Sequence, residues 1–262
     1  MSGRVAGRII DSIAGKMKKI TDQIDSNPAS ISVFFPFYNE QDNICRVYES
    51  ATMVLKNMGS DYQIILVDDG STDQTPQIAD AIAKADPKVT VIHHSTNLGF
   101  GAALQSGFRA ANKLLIFYSD GDGQFDLNEL PPLVPLMNRC DIVSCYRLNR
   151  QDPFWRKFNA WCWTTFMCAL FGLKLKDINC AFKLYKREIF GRIKMQSTGA
   201  LIHAEIFARA TRQGFAITQT GVHHFPRIAG RQTGAKPKVI FRAFWELLEL
   251  YKEINEEKDA IS

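Results

Sequence analysis

The order of segments predicts an α/β fold: a mostly parallel, twisted sheet flanked by helices, with an amphipathic helix at each end. Three observations carry this expectation. From Ile31 onward, short apolar runs alternate with helix-like stretches, as repeated β-α units do. Four clusters rich in Asp, Asn and Gly each follow an apolar run, where loops at the carboxyl ends of strands belong. The chain has 262 residues, 46% hydrophobic and 23% charged, enough for one large domain with a sizeable core and unlike a disordered chain.

Taken in order, Ile31 to Phe35 reads as a strand ending at Pro36, and residues 40–58 as a helix. Tyr62 to Val67 is a β-rich strand, after which Asp73 looks like a helix cap with Pro76 in the first turn. Val89 to Ile92 is a third strand, 101–112 an alanine-containing helix and Leu114 to Tyr118 a fourth strand. A helix near 127–138 precedes a fifth strand, Asp141 to Cys145. Beyond residue 150 the order becomes helix 153–172, strand 178–185, helix 198–213, strand 215–225 and helix 238–256. No internal repeat or low-complexity linker divides the chain, so residues 29–236 are expected to form one domain of two halves, 29–126 and 127–236.

At the N-terminus, Val5, Ile9, Ile13, Met17, Ile20 and Ile24 recur every three or four positions among Arg4, Arg8, Lys16, Lys18 and Lys19. This is the pattern of an amphipathic helix over 1–28, either packed on protein or lying on an anionic membrane surface. Residues 237–262 form a second such helix. No uncharged run reaches the roughly 18 residues of a membrane span, and Arg4, Arg8 and Asp11 make a poor secretory signal. Phe158 to Leu173 comes closest to a span. Core burial and an interfacial helix with Trp155, Trp161 and Trp163 at headgroup depth both fit it.

The formal charge of +5 admits an anionic partner without naming one. Six cysteines without a C-x-x-C pair suit reduced core thiols. His93-His94 and His223-His224 are strand neighbours facing opposite ways, so neither pair is a natural chelate; His203 lies on the expected helix 198–213.

The chemistry concentrates at the strand ends: Tyr38-Asn39-Glu40, Asp68-Asp69-Gly70-Ser71, Asn97 to Gly101, and Asp120-Gly121-Asp122-Gly123-Gln124. In a parallel sheet these ends line one cleft. Asp120, Asp122 and Gln124 supply hard oxygens that suit Mg²⁺ or Mn²⁺ on a diphosphate. A calcium loop is excluded, because Phe125 and Pro131 stand where it requires Gly and Glu. A dinucleotide fingerprint is excluded by Leu104 at its third glycine position.

Val33 to Glu40, Val67 to Thr75, Asn97 to Gly107 and Asp120 to Gln124 resemble the inverting family 2 glycosyltransferases of GT-A fold, most of all the dolichol- or polyprenyl-phosphate mannosyl- and glucosyltransferases. The likeness runs from about residue 31 to 240. It implies that Pro36, Tyr38 and Glu40 line a nucleoside pocket, that Asp69, with Asp68 beside it, contacts base or ribose, and that Gly99 and Gly101 let backbone approach the nucleotide. It also implies that Asp120, Asp122 and Gln124 hold the metal and the donor diphosphate, with Asp120 bridging toward the sugar. Arg147, Arg156 and Lys183 match acceptor-phosphate positions, and Asp177 either positions the acceptor or structures its loop. Arg227 and Arg231, with Lys236 weaker, fall in a segment expected to close over the diphosphate.

The expectation is a metal-dependent transfer of mannose or glucose from GDP-mannose or UDP-glucose to a polyprenyl phosphate, at the cytoplasmic face of a membrane. No nucleic-acid partner is expected, and the oligomeric state is open. Two alternatives stand beside it: the same donor chemistry onto a soluble or saccharide acceptor, and a non-catalytic nucleotide-sugar-binding or membrane scaffold protein.

Overall fold

The computed structural model describes residues 29–148, 153–227, 246–254 and 256. The expected N-terminal helix, Arg231 and Lys236 lie outside the described residues, as does the 237–262 segment apart from 246–254 and 256. Seven strands form one sheet: β1 (Ser30–Phe37), β2 (Asp61–Asp68), β3 (Val89–His93), β4 (Leu115–Ser119), β5 (Ile142–Leu148), β6 (Phe182–Lys186) and β7 (Ile217–His223). Their order is β3-β2-β1-β4-β6-β5-β7. β3, β2, β1 and β4 pair in parallel, while β6 runs antiparallel to both β4 and β5. β7 pairs in parallel with β5. The sheet is therefore mostly parallel, as expected.

The helices are α1 (Ile44–Asn57), α2 (Thr75–Ala85), α3 (Phe100–Ala110), α4 (Phe154–Phe171), α5 (Ile189–Arg192) and α6 (Ile202–Arg212). Side-chain alternation along β1 builds both core layers. Phe34 joins Leu104 and Phe108 of α3 on one face, whereas Val33, Phe35 and Phe37 join Ile44, Val47 and Leu55 of α1 on the other.

Three expectations change. The helix near 127–138 is two 3₁₀ segments, Leu127–Glu129 and Pro131–Asn138. Pro131, Pro132 and Pro135 lack the N–H groups that an α-helix there would need. Asp126 caps the first segment, accepting from the Asn128 N–H at 3.0 Å. The strand expected at 178–185 starts only at Phe182 and runs in the reverse sense. Its amino end thereby meets the carboxyl ends of its neighbours. The C-terminal helix buries Leu247, Leu250 and Ile254 in the domain's own core. Tyr251 lies against Phe171 at 6.2 Å, and Glu253 pairs with Arg209 at 3.2 Å. Of the two roles open to such a helix, packing on protein or lying on a membrane, this apolar face takes the first.

α4 is divided along its length. Thr164, Met167 and Phe171 enter the core, while Trp155 and Trp161 are 72% and 62% exposed. Phe154, Trp155, Phe158 and Trp161 form a chain of ring contacts along that outer surface. Among the described residues no helix is long and apolar enough to cross a membrane. All six cysteines are free, three of them buried (Cys140, Cys145, Cys180).

Candidate active site

The loops that follow β1, β2 and β3 are tied into one rim. Asn39 adopts a left-handed φ of 55°, which asparagine tolerates better than most side chains. Its N–H donates to Ser71 Oγ at 2.9 Å and its side-chain oxygen accepts from the Thr72 N–H at 2.8 Å. The Glu40 N–H donates to Thr75 Oγ1 at 2.9 Å. Asp73 acts one residue earlier than a helix cap, accepting from the Thr75 N–H at 2.9 Å.

Asp68 and Asp69 are nearly buried and fully engaged. Asp68 accepts from the Ser71 N–H and pairs with His93 Nδ1, both at 2.9 Å. Asp69 accepts from the N–H groups of Leu98 (2.9 Å) and Gly99 (3.0 Å) and pairs with His94 Nδ1 at 2.7 Å. Both histidines are thus structural partners of carboxylates. Burial works to lower the His93 pKa, but bonds to Asp68 and Asp80 prevail and raise it. Between these loops lies a cleft of 560 Å³ lined by Tyr38, Asp68, Ser71, His93 and Asn97, among others. A larger cleft, of 1800 Å³, is lined by Ser30, Asp61, Leu115 and Lys186. These residues mark the opposite edge of the sheet, away from the acidic run.

The two glycines at the start of α3 also meet backbone of the protein itself. The backbone that approaches Gly101 belongs to the protein: its N–H donates to Thr198 O at 2.9 Å. A Cβ at Gly101 would lie 2.5 Å from Ser197 O, and one at Gly99 would lie 2.8 Å from Thr198 O. Both glycines therefore seat the start of α3 against the 197–199 loop.

β4 delivers the acidic run. The Tyr118 hydroxyl donates to Asp120 Oδ1 at 3.0 Å. Burial, then the charge of Asp122, pushes Asp120 up to about 7, against the opposing pull of Tyr118, Lys183 and Arg147. Asp122 Oδ1 accepts from the Gln124 N–H at 3.1 Å. Gln124 is buried, and its Nε2 donates to Phe225 O at 2.9 Å. In return the Phe225 N–H donates to Gln124 O at 2.9 Å. Gln124 therefore fastens the 225 segment to the acidic run through its backbone and its Nε2, which leaves its Oε1, with the carboxylates of Asp120 and Asp122, as the oxygens that the resemblance assigns to a cation.

That segment places Arg227 across the site. Its Nη2 bonds Glu40 Oε1 and lies 3.4 Å from Asp122 Oδ2. Glu40 is held from its other side by Asn43 Nδ2 at 2.6 Å, and Asn43 Oδ1 accepts from Arg46 at 3.3 Å. The Arg46 guanidinium packs on Gly123, within 2.2 Å of where a Cβ would stand. No sequence signal marked Arg46, because its closeness to the acidic run arises only when folding brings α1 against the loop after β4.

On the acceptor side, Arg147 near the end of β5 donates to both oxygens of Asp177, at 2.7 and 3.0 Å. Lys183, expected at the acceptor surface, is fully buried on β6 and donates to Cys180 O. Burial outweighs the acidic groups around it and lowers its pKa to about 8. It is a charge beneath the site rather than a surface contact. Arg156 is exposed in the first turn of α4. His203 is buried against Phe100 and Tyr118 at ring distances of 5.7 and 5.5 Å, with its pKa driven well down by burial and by Lys183. That places it in the core behind the site.

Two aspartates of one loop at the carboxyl edge of a parallel sheet form a donor set of hard oxygens that fits Mg²⁺ or Mn²⁺. Among the described residues no trio of His, Cys, Asp and Glu converges as a complete metal site. A cation there would need further oxygens, such as those of a diphosphate.

The profile of "Glycosyl transferase family 2" matches residues 32–194. This chain belongs to that family. It is 32% identical over 205 residues to the undecaprenyl-phosphate 4-deoxy-4-formamido-L-arabinose transferase of Salmonella paratyphi B, covering 76% of this chain. The match spans 61% of the length of that relative. Among solved structures, a mannosyltransferase from Pyrobaculum calidifontis in complex with GDP-Man and Mn²⁺ superposes with a TM-score of 0.57 at 16% identity, over 79% of this chain and 59% of that one. Glucosyl-3-phosphoglycerate synthase from Mycobacterium tuberculosis, in complex with Mn²⁺, UDP and glucosyl-3-phosphoglycerate, gives 0.59 at 19% identity, over 86% and 77%. The family 2 domain has the GT-A fold of these glycosyltransferases.

Proposed function

We propose that this chain transfers a sugar from a nucleoside diphosphate donor to a polyprenyl phosphate, with a divalent cation held by Asp120 and Asp122. The observation that carries this reading is the meeting of the acidic run with two arginines, Arg227 beside Asp122 and Arg147, whose charge acts on Asp120. The likeness to a transferase acting on undecaprenyl phosphate supports the lipid acceptor. The neighbours bound to GDP-Man and UDP with Mn²⁺ support the donor and metal classes.

An acceptor phosphate oxygen attacks the anomeric carbon. The new carbon–oxygen bond replaces the one to the diphosphate, which leaves with the electron pair. A phosphate monoester, with a second pKa of about 6, is already largely dianionic at neutral pH and needs no general base. Arginine forks suit it. A bound divalent cation would supply charge stabilisation for the departing diphosphate. Attack from the opposite face inverts the anomeric centre, in line with the family resemblance.

Mannose and glucose are the donor sugars proposed first, with an arabinose-type donor as the competitor suggested by the Salmonella relative. Labelled GDP-mannose, UDP-glucose and an arabinose-type donor, each with Mg²⁺ or Mn²⁺ and short-chain polyprenyl phosphate, test the reading. Label that never enters the lipid phase rejects it. Its failure with every donor, alongside transfer to a soluble phosphate ester, would move the activity to the soluble-acceptor alternative.

We further propose peripheral attachment at the cytoplasmic face of a membrane through the aromatic surface of α4. Phe154, Trp155, Phe158 and Trp161 present amphipathic and apolar rings outward, and Arg156 and Lys157 in the same turn suit anionic headgroups.

A further inference from the structure

Arg227 stands in an arrangement with an unusual balance of contacts. Its Nη2 touches two carboxylates, Glu40 and Asp122, while its buried Nε and Nη1 have no hydrogen-bond partner among the described residues. Buried guanidinium nitrogens without acceptors are costly, so charge rather than complete hydrogen bonding holds this side chain. Glu40 is fixed independently by Asn43 and by the Thr75 contact to its N–H. The 225 segment is fixed by the reciprocal bonds between Gln124 and Phe225. The guanidinium is therefore anchored from both ends over the oxygen that a cation would use.

We propose that Arg227 is the resident counter-cation of the donor-free site and exchanges partners on loading: it holds Glu40 and Asp122 when the site lacks donor, and releases Asp122 when a divalent ion with its diphosphate is bound. This rests on the reading of Asp122 as a metal ligand. The exchange improves both sides. The guanidinium fork gains phosphate oxygens that match its geometry, and Asp122 gains a doubly charged partner. Metal alone offers no phosphate to Arg227, so it must compete against the guanidinium, and metal and nucleotide should bind with positive coupling.

The test is a titration of Mn²⁺ alone, followed by the paramagnetic resonance signal of the free ion, on the full chain and on Arg227→Gln and Arg227→Lys. It is then repeated with saturating GDP and with saturating UDP. Without nucleotide, Arg227→Gln should bind Mn²⁺ about tenfold more tightly than the native chain, the size of one charge-assisted contact. Arg227→Lys, which keeps the charge, should gain less. The tightening that nucleotide confers on Mn²⁺ should shrink in Arg227→Gln. Adding Asp122→Asn to Arg227→Gln should remove the gain. Unchanged or weaker Mn²⁺ binding in Arg227→Gln, or no Mn²⁺ binding by any of the proteins, overturns the proposal. The readout contains no acceptor and no transfer step, so a failed transfer assay and a failed Mn²⁺ response are separate results.

Discussion

Asp122 lies on the acidic loop within reach of Arg227 and has one oxygen committed to the Gln124 N–H. Asp122→Ala should lower turnover by at least about a hundredfold, the loss typical when one electrostatic stabiliser of a transition state is removed. Steady-state assays at saturating Mn²⁺ check this. At Gly101, Ala would set a Cβ 2.5 Å from Ser197 O. Gly101→Ala should cost about 1–3 kcal/mol, as overpacking does, seen as a lower melting temperature. Asp141 gives a pH signature away from the catalytic residues. Burial works to raise its pKa, but Lys186 at 2.7 Å and the Ala216 N–H prevail, leaving it below the ordinary carboxylate value. A depressed acid pKa stabilises the fold above the unfolded-state value and loses that contribution as pH falls through the folded value. Asp141→Asn should therefore lower the melting temperature at pH 7 and flatten its fall below about pH 4, near the unfolded carboxylate pKa.

At the scale of elements, two helices rich in apolar side chains meet different fates. The segment 246–254 buries its apolar face, and Leu250 is only 5% exposed. Leu250→Ala should destabilise the domain by about 2–5 kcal/mol, measured by denaturant unfolding. α4 leaves its first two turns uncovered. The double variant Trp155→Gln, Trp161→Gln should lose binding to vesicles containing anionic lipid while keeping the native melting temperature. Vesicle binding at the native level would remove α4 from the membrane interface. The sequence distinguishes these helices poorly, since periodicity reports an apolar face and not what covers it. The prolines at 131, 132 and 135 were a legible signal against an α-helix, and the 3₁₀ segments follow from them.

At the scale of the molecule, function depends on one edge of the sheet. The strand ends of β1, β2 and β4, the amino end of the reversed β6 and the segment after β7 all converge there. If this edge works as one site, Asp122→Ala and removal of Mn²⁺ by chelation should lower sugar transfer to a similar residual rate, and their combination should cost no more than either alone. A further loss in the combined experiment would mean that the cation acts elsewhere.

The amino-acid sequence by itself determined the α/β class, the succession of strands β1 to β5 along the chain, the acidic run and the family likeness, because these depend on local periodicity and on motifs of adjacent residues. Only the tertiary structure decided the sense of β6, the burial of Lys183, the intramolecular partners of Asp68, Asp69, Gly99 and Gly101, and the reach of Arg46 and Arg227 into the acidic site. Each of these is a contact between residues far apart in the chain: Arg227 meets Glu40 across a separation of 187 positions. Local pattern carries no information about such pairs. They exist because burying both faces of the sheet brings its edges and loops to fixed places, and the charges must then find partners there.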